Sequence, residues 1–262
     1  HVGVLRGPDG DNTTALYLNG SEHQWSRRTG HRQRDILSIS FYAFGRELAS
    51  DRGYFSGSGQ VTPDGRSGQA WVSCTRSHNL VVVDEQDQKT GPAGSNLELF
   101  GVTPGVEVIE ASGYNVYPQC DQYRRTCALI ASPGGEAYAV DLFRVSGGRI
   151  HQYGFNCNGT MVDLHPEQPA PRELSLSPAW SGWLERPRAV VPDEPHTVTW
   201  NHDGVNLDLV LLNRSDTVDR VIIADAPGWR THEESVKGTD PIQQILVEKR
   251  AGEADAPLAA AY

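Results

Sequence analysis

The sequence predicts an all-β protein, a large antiparallel β-sandwich of stacked sheets, and three observations carry that expectation. Glycine and proline, 27 and 16 of the 262 residues, recur at short intervals between runs that alternate or are wholly apolar. That is the punctuation of strands joined by turns. No long helical segment stands out, and the strand candidates are numerous enough to require closure into a sandwich or barrel.

The elements can be justified in chain order. Ala15–Leu18 is a short apolar run. In Ile36–Ala43 the residues Ile39, Phe41 and Ala43 alternate with Ser38, Ser40 and Tyr42, so one face is buried and the other lines something wetter. Ala70–Cys74 and Leu80–Val83 follow, and Val81-Val82-Val83 before Asp84 reads as an inner strand ending at a polar turn. Glu107–Ala111, Thr126–Ala131, Glu136–Arg144 and Thr197–Asn201 are further candidates. Val205-Asn206-Leu207-Asp208-Leu209 alternates cleanly, and Ile242–Lys249 completes the set. The prolines at 169, 171, 178 and 187, with Trp180 and Trp183, make Gln168–Arg188 an ordered connection across a sheet end. The alanine-rich stretch Ala251 to Tyr262 is either a fraying end or a strand cut short.

Composition excludes several function classes. Hydrophobic residues are 38% of the chain and no apolar run reaches the roughly 18 residues that cross a bilayer, so no membrane partner is expected. The formal charge is −10 and the basic residues are scattered, which argues against nucleic acid. An acidic sugar polymer would meet the same repulsion unless a local cluster reversed it. Arg27, Arg28, Arg32 and Arg34 around His31 form either such a cluster or a solvated turn.

None of the four cysteines forms a CxxC pair, which disfavours a zinc ribbon. Cys120 and Cys127 flank a polar turn and are the best candidates for a disulfide, whereas Cys74 and Cys157 read as buried thiols. Sequons stand at Asn12, Asn19, Asn158 and Asn213.

The residues able to carry chemistry bracket the first strong strand. His31 stands at its entrance among arginines, where a group titrating near neutrality can shuttle a proton or meet an anion. Asp35 and Asp51 lie at the two ends of a hairpin whose turn contains Gly45-Arg46, and salt bridges to the neighbouring arginines are their ordinary role. Ser77-His78-Asn79 places a second histidine at another strand start, so a metal could draw on His31 or Gln33 with Asp51 and His78. Trp25, Tyr54 and Trp71 either stack on sugar rings or fill the core. No GxSxG, HExxH, Walker or GxGxxG motif supports serine-hydrolase, zincin or nucleotide chemistry.

The run His31-Arg32-Gln33-Arg34-Asp35, a strand, Gly45-Arg46 and then Asp51-Arg52-Gly53-Tyr54 resembles the signature of heparinase II/III-like polysaccharide lyases, HxHxD, strand, GR and DxGY. Ser77–Asp84 and Tyr138–Gly148 resemble two further strands of that family, and Val2–Arg6 its first sandwich strand. The resemblance implies that residues 1–262 are a C-terminal β-sandwich, part of a longer, secreted or periplasmic chain whose N-terminal α/α toroid completes the site. It implies β-elimination on a uronic-acid-containing polysaccharide of glycosaminoglycan or alginate type. By motif position His31 is the catalytic histidine, and Arg28, Arg32 and Tyr54 are placed to bind substrate. Family members that hold a structural zinc use positions matching Gln33, Asp51 and His78, and the glutamine departs from the pattern. Without metal, Gln33 is expected to hydrogen-bond Asp51 or His78. The alternative is a non-catalytic carbohydrate-binding or structural module.

Overall fold

A computed structural model of the chain describes residues 2–7, 10, 13–20, 33–51, 53, 68–165, 172–173, 175–190, 196–212, 220–228, 242–250 and 258–261. Its strands form three antiparallel sheets, the all-β sandwich expected. Four strands make the first sheet: β1 (Val2–Gly7), β2 (Thr14–Asn19), β3 (Ile39–Ala43) and β4 (Arg46–Ala49). They pair in sequence order.

The second sheet holds β5 (Val81–Val83), β10 (Ile150–Asn156), β12 (Arg172–Glu173), β13 (Glu185–Val190), β16 (Arg220–Ala226) and β17 (Ile242–Arg250), ordered β12-β13-β16-β17-β10-β5. The third contains β6 (Gly94–Thr103), β7 (Val106–Tyr114), β8 (Cys120–Ala131), β9 (Ala137–Gly147), β11 (Thr160–His165), β14 (His196–His202), β15 (Val205–Leu211) and β18 (Leu258–Ala261). Its order is β11-β14-β15-β18-β9-β8-β7-β6.

The eight-stranded sheet is the platform on which the other two pack. Alternation puts Tyr123, Arg125, Cys127 and Leu129 of β8 and Ala139, Asp141 and Phe143 of β9 on its inner face, all buried. The four-stranded sheet meets this face through Leu5, Leu16, Leu18, Ile39 and Phe41. Contact at β1 is so close that a Cβ on Gly3 would lie 1.9 Å from Ile109 Cδ1, so a larger residue there would force the Ile109 side chain to move. The six-stranded sheet meets the platform through Phe155 against Trp200, with ring centroids 6.1 Å apart. Tyr123 also donates its hydroxyl to the Val81 carbonyl at 2.6 Å.

Several expectations need correction. Ala70–Cys74 is not a strand: Gly68–Val72 is a short helix, followed by a 3-10 turn at Thr75–Ser77. Trp71, Val72 and Cys74 are all buried, and adjacent residues on a two-residue repeat would face opposite ways. Cys120 and Cys127 are not bonded, because both lie on β8. Seven residues of strand separate them by about 23 Å. Trp71 belongs to the core and packs on Trp183 with centroids 5.3 Å apart, which removes it as a sugar platform. Cys74 and Cys157 are buried thiols as expected.

Of the two readings of the alanine-rich tail, a strand and not a fraying end is found at Leu258–Ala261, where β18 inserts between β15 and β9. Within Gln168–Arg188 the short helix Pro178–Ser181 carries Trp180 into the core, where its indole donates to Gln152 Oε1 at 2.9 Å.

Candidate functional site at the meeting of two sheets

Three loops converge where β3 and β4 abut the β5–β10 edge. Asp35 precedes β3, Asp51 follows β4, and His78 follows the Thr75–Ser77 turn ahead of β5. Their side chains come together: one ligand atom from each of Asp35, Asp51 and His78 lies within 4.8 Å of the other two. His78 Nδ1 is 3.0 Å from Asp51 Oδ2, and the imidazole is buried. Asp51 Oδ1 also accepts the Gly53 backbone N–H at 2.8 Å, and Asp35 Oδ2 accepts the Asn19 side-chain amide at 2.7 Å. A groove opens beside them, lined by Tyr17, Asn19, Asp35, Ser38, Ser40, Tyr42 and Asp51. The polar face anticipated for the first strong strand is therefore the floor of this groove.

Gln33 does not reach Asp51 or His78 as expected. Its amide nitrogen donates to the Gly53 carbonyl, so its link to Asp51 runs through the backbone of the DxGY loop. The third carboxylate or imidazole beside Asp51 and His78 is that of Asp35. Two carboxylates and an imidazole are hard-to-borderline donors suited to a divalent cation such as zinc. The donor set fits a metal, but through Asp35, Asp51 and His78 and not through Gln33.

The loops are held by partners that reach in from other sheets. Asn79, fully buried, donates to the Ile39 and Ser50 carbonyls at 3.0 and 3.2 Å and accepts the Asn156 N–H at 2.7 Å, tying the β3–β4 hairpin to β10. Arg125, also fully buried, donates from Nε and one terminal nitrogen to the two oxygens of Asp141 at 2.8 and 2.7 Å. Its other terminal nitrogen donates to the carbonyls of Leu37 and Asn79, both at 2.6 Å. These carbonyls belong to the loops that bear Asp35 and His78. Leu37 has φ +65°, a left-handed conformation that costs a bulky residue about 1 kcal/mol or more and persists only where its surroundings impose it.

Burial opposes the charge on Arg125, but the adjacent Asp141 carboxylate outweighs it and keeps the guanidinium ionised above its ordinary range. Tyr153 Oη donates to Asp141 Oδ2 at 2.9 Å, and burial followed by the nearby Asp141 charge raises its phenol well above normal. Burial and the same carboxylate hold the Cys127 thiol protonated.

His31, Arg27, Arg28, Arg32, Trp25 and Tyr54 lie outside the described residues. Arg34 turns from the groove: its guanidinium donates to the Ser73 carbonyl at 3.3 Å and lies 4.0 Å from Asp87. Of the sequons, Asn158 commits its amide nitrogen to the Glu47 carbonyl at 2.9 Å, and Asn19 commits its own to Asp35, which disfavours modification at either. Sequence reasoning assigned Asp35 to salt bridging and passed over Arg125. A charge at an inward position of a strand, among Tyr123, Cys127 and Leu129, was the available signal for the latter.

The family model described as heparinase II/III-like, C-terminal, matches residues 2–256. No curated protein sequence matches the chain. Among solved structures, heparan sulfate lyase HepC from Pedobacter heparinus superposes with a TM-score of 0.66 at 16% identity, covering 98% of this chain and 34% of that one. A heparinase III gene product with methylated lysines gives 0.64 at 16% identity over 99% and 34%. A further heparinase III structure gives 0.56 at 13% identity over 99% and 34%. The chain thus spans about a third of the length of these structures, and at such identities they speak for the fold. The match over residues 2–256, with Asp35, Asp51 and His78 of the three motif segments brought together, places the chain in the heparinase II/III-like family as its C-terminal sandwich.

Proposed function

We propose that the chain is the β-sandwich part of a polysaccharide lyase that cleaves a uronic-acid-containing polymer by β-elimination, within a longer secreted or periplasmic protein whose N-terminal α/α toroid supplies the rest of the site. The observation that carries this reading is the Asp35–Asp51–His78 cluster beside a groove that Asp35 and Asp51 line, on the same sequence motif as His31. Heparan sulfate lyase HepC has the same fold, so a glycosaminoglycan is the first polymer to test, with alginate the second.

In the reaction the uronate carboxylate is neutralised, a base removes the proton at C5, and an acid protonates the O4 leaving group, so that a C4–C5 double bond forms as the C4–O4 bond breaks. His31 is proposed to share in the proton transfer, with Arg28 and Arg32 pairing with substrate anions and Tyr54 contacting a sugar ring. Asp35, Asp51 and His78 fix the loops on either side of the hairpin. A zinc ion bound there would add a rigid cross-link and local positive charge. Gln33 and Asp51 hold Gly53 in either case, and so set the start of the segment leading to Tyr54.

The test is the ultraviolet absorbance of the unsaturated uronate when full-length protein meets heparan sulfate or alginate. Turnover that His31→Ala abolishes supports the reading. Binding without product favours a carbohydrate-binding module, and turnover unchanged in His31→Ala removes that residue from the chemistry. Metal analysis of purified protein completes the test: a stoichiometric divalent ion that Asp35→Asn releases supports the cluster as its site.

A further inference from the structure

The geometry points to a second carbohydrate-binding stretch on the outer face of the four-stranded sheet, in which Tyr17 and Phe44 stack sugar rings and Arg6 and Arg46 meet their acidic groups. It rests on the proposed polysaccharide function and extends the groove at Asp35 and Asp51 away from the cluster.

The groove beside the cluster does not end at its own rim. A second groove shares Tyr17 and Tyr42 with it and continues past Phe44 and Gly45 to Arg6 and Arg46. The register places Tyr17, Tyr42 and Arg6 on one face: Tyr17 pairs with Ser40, Ala15 with Tyr42, and Arg6 with Ala15, while Arg46, opposite Ala43 at the end of the hairpin, lines the second groove from there. Leu16, Leu18, Ile39 and Phe41 alternate with them and fill the core. At strand rise, Ser40 to Phe44 spans about 13 Å, roughly two or three linked pyranose units.

Two aromatic rings on this face keep exposed surface. Tyr17 and Tyr42 meet edge to face at 5.3 Å, Tyr42 is fixed by its hydroxyl bond to Glu47 at 2.8 Å, and Tyr17 is left 38% exposed. Phe44 is 38% exposed at the tip of the β3–β4 hairpin with φ +51°, and Gly45 follows at +68°. A two-residue turn with both angles positive favours Asn-Gly, so an exposed phenylalanine at its first position costs stability twice, in backbone strain and in wetted apolar surface. Beyond these rings lie Arg6 and Arg46, both exposed. Arg46 is 3.8 Å from Asp203 in an open pair that an incoming anion can replace at little cost. Ring faces followed by guanidinium groups suit an acidic polysaccharide better than a neutral one.

The test is an NMR or fluorescence titration of the chain with a heparan sulfate hexasaccharide, an alginate hexasaccharide and neutral cellohexaose. At least one acidic oligomer is expected to bind more tightly than cellohexaose. Tyr17→Ala and Phe44→Asn each weaken that binding roughly tenfold, and Arg46→Ala narrows the preference for acid over neutral sugar. Phe44→Asn should lose affinity while raising the melting temperature, a combination that a purely structural role does not produce. Binding by Tyr17→Ala and Phe44→Asn equal to that of the parent, or no binding of any acidic oligomer, overturns the proposal. The two readings fail separately. Turnover lost in His31→Ala with KM unchanged in Phe44→Asn sinks this stretch alone, and Phe44-dependent binding with no turnover of any uronate polymer sinks the lyase reading alone.

Discussion

Replacing Arg125 by methionine tests whether one buried side chain holds both site loops. The substitution leaves the Asp141 carboxylate buried without its partner cation and takes the donor from the Leu37 and Asn79 carbonyls. Breaking one side of a buried, hydrogen-bonded ion pair costs about 3–5 kcal/mol. For a chain of this size that is a fall of roughly 6–20 °C in melting temperature. The loss should also be uneven. Ile39 N–H donates to the Asn79 carbonyl at 3.3 Å and Leu37 N–H to Asn19 at 2.9 Å, so these amides should lose hydrogen-exchange protection beyond the global change. Amides of the β14–β15 pair, remote from Arg125, should lose only the global part. The double variant Arg125→Met with Asp141→Leu should recover much of the stability, since no charge is then left unpaired, without restoring loop protection. A single variant within about 1 kcal/mol of the parent, or protection falling equally everywhere, would refute the argument.

Gly147→Ala should be among the most damaging small substitutions, by about 2 kcal/mol or more in denaturant unfolding, because the added Cβ would lie 2.2 Å from the Gln119 carbonyl oxygen at φ +91°; a neutral result would show that the β8–β9 junction yields easily. All four cysteines should react with Ellman's reagent in denaturant without reductant. In the native state at pH 8 they should react slowly, since burial pushes Cys74 up to about 11 and Cys120 up to about 12; fewer than four thiols would revive a disulfide. Burial of Asp84 raises its carboxyl, but hydrogen bonds from the Arg149 and Ile150 amides and from Gln119 outweigh this and hold it below its ordinary 3.8. A depressed folded value stabilises above the unfolded pKa and is lost as pH falls through the folded one, so Asp84→Asn should flatten the stability profile below about pH 4; parallel parent and variant curves there would count against the role.

Much of the local structure was legible because strand and turn preferences are local. The alternation of Ile39, Phe41 and Ala43 with polar neighbours located β3 and the polar floor of the groove. The valine run located β5, and Val205–Leu209 the solvated strand β15. Where two-residue and helical periods cannot be told apart over five residues, as at Gly68–Val72, the reading failed. A different limit hid β6, whose apolar residues Leu97, Leu99, Phe100 and Val102 are largely exposed and so break the link between apolar character and burial.

The sequence by itself determined the all-β class, about half of the strand positions, the family resemblance and the meeting of Asp51 with His78, because each is written in short motifs or in the period of the chain. Only the tertiary structure decided that Asp35 joins Asp51 and His78 while Gln33 turns to Gly53, and that Arg125 clamps loops 88 and 46 residues away in sequence. It also separated Cys120 from Cys127 along one strand and joined two grooves across Tyr17 and Tyr42. The physical reason is that such contacts depend on sheet order and register, which are set when distant apolar faces pack together, and no local preference encodes which faces those are.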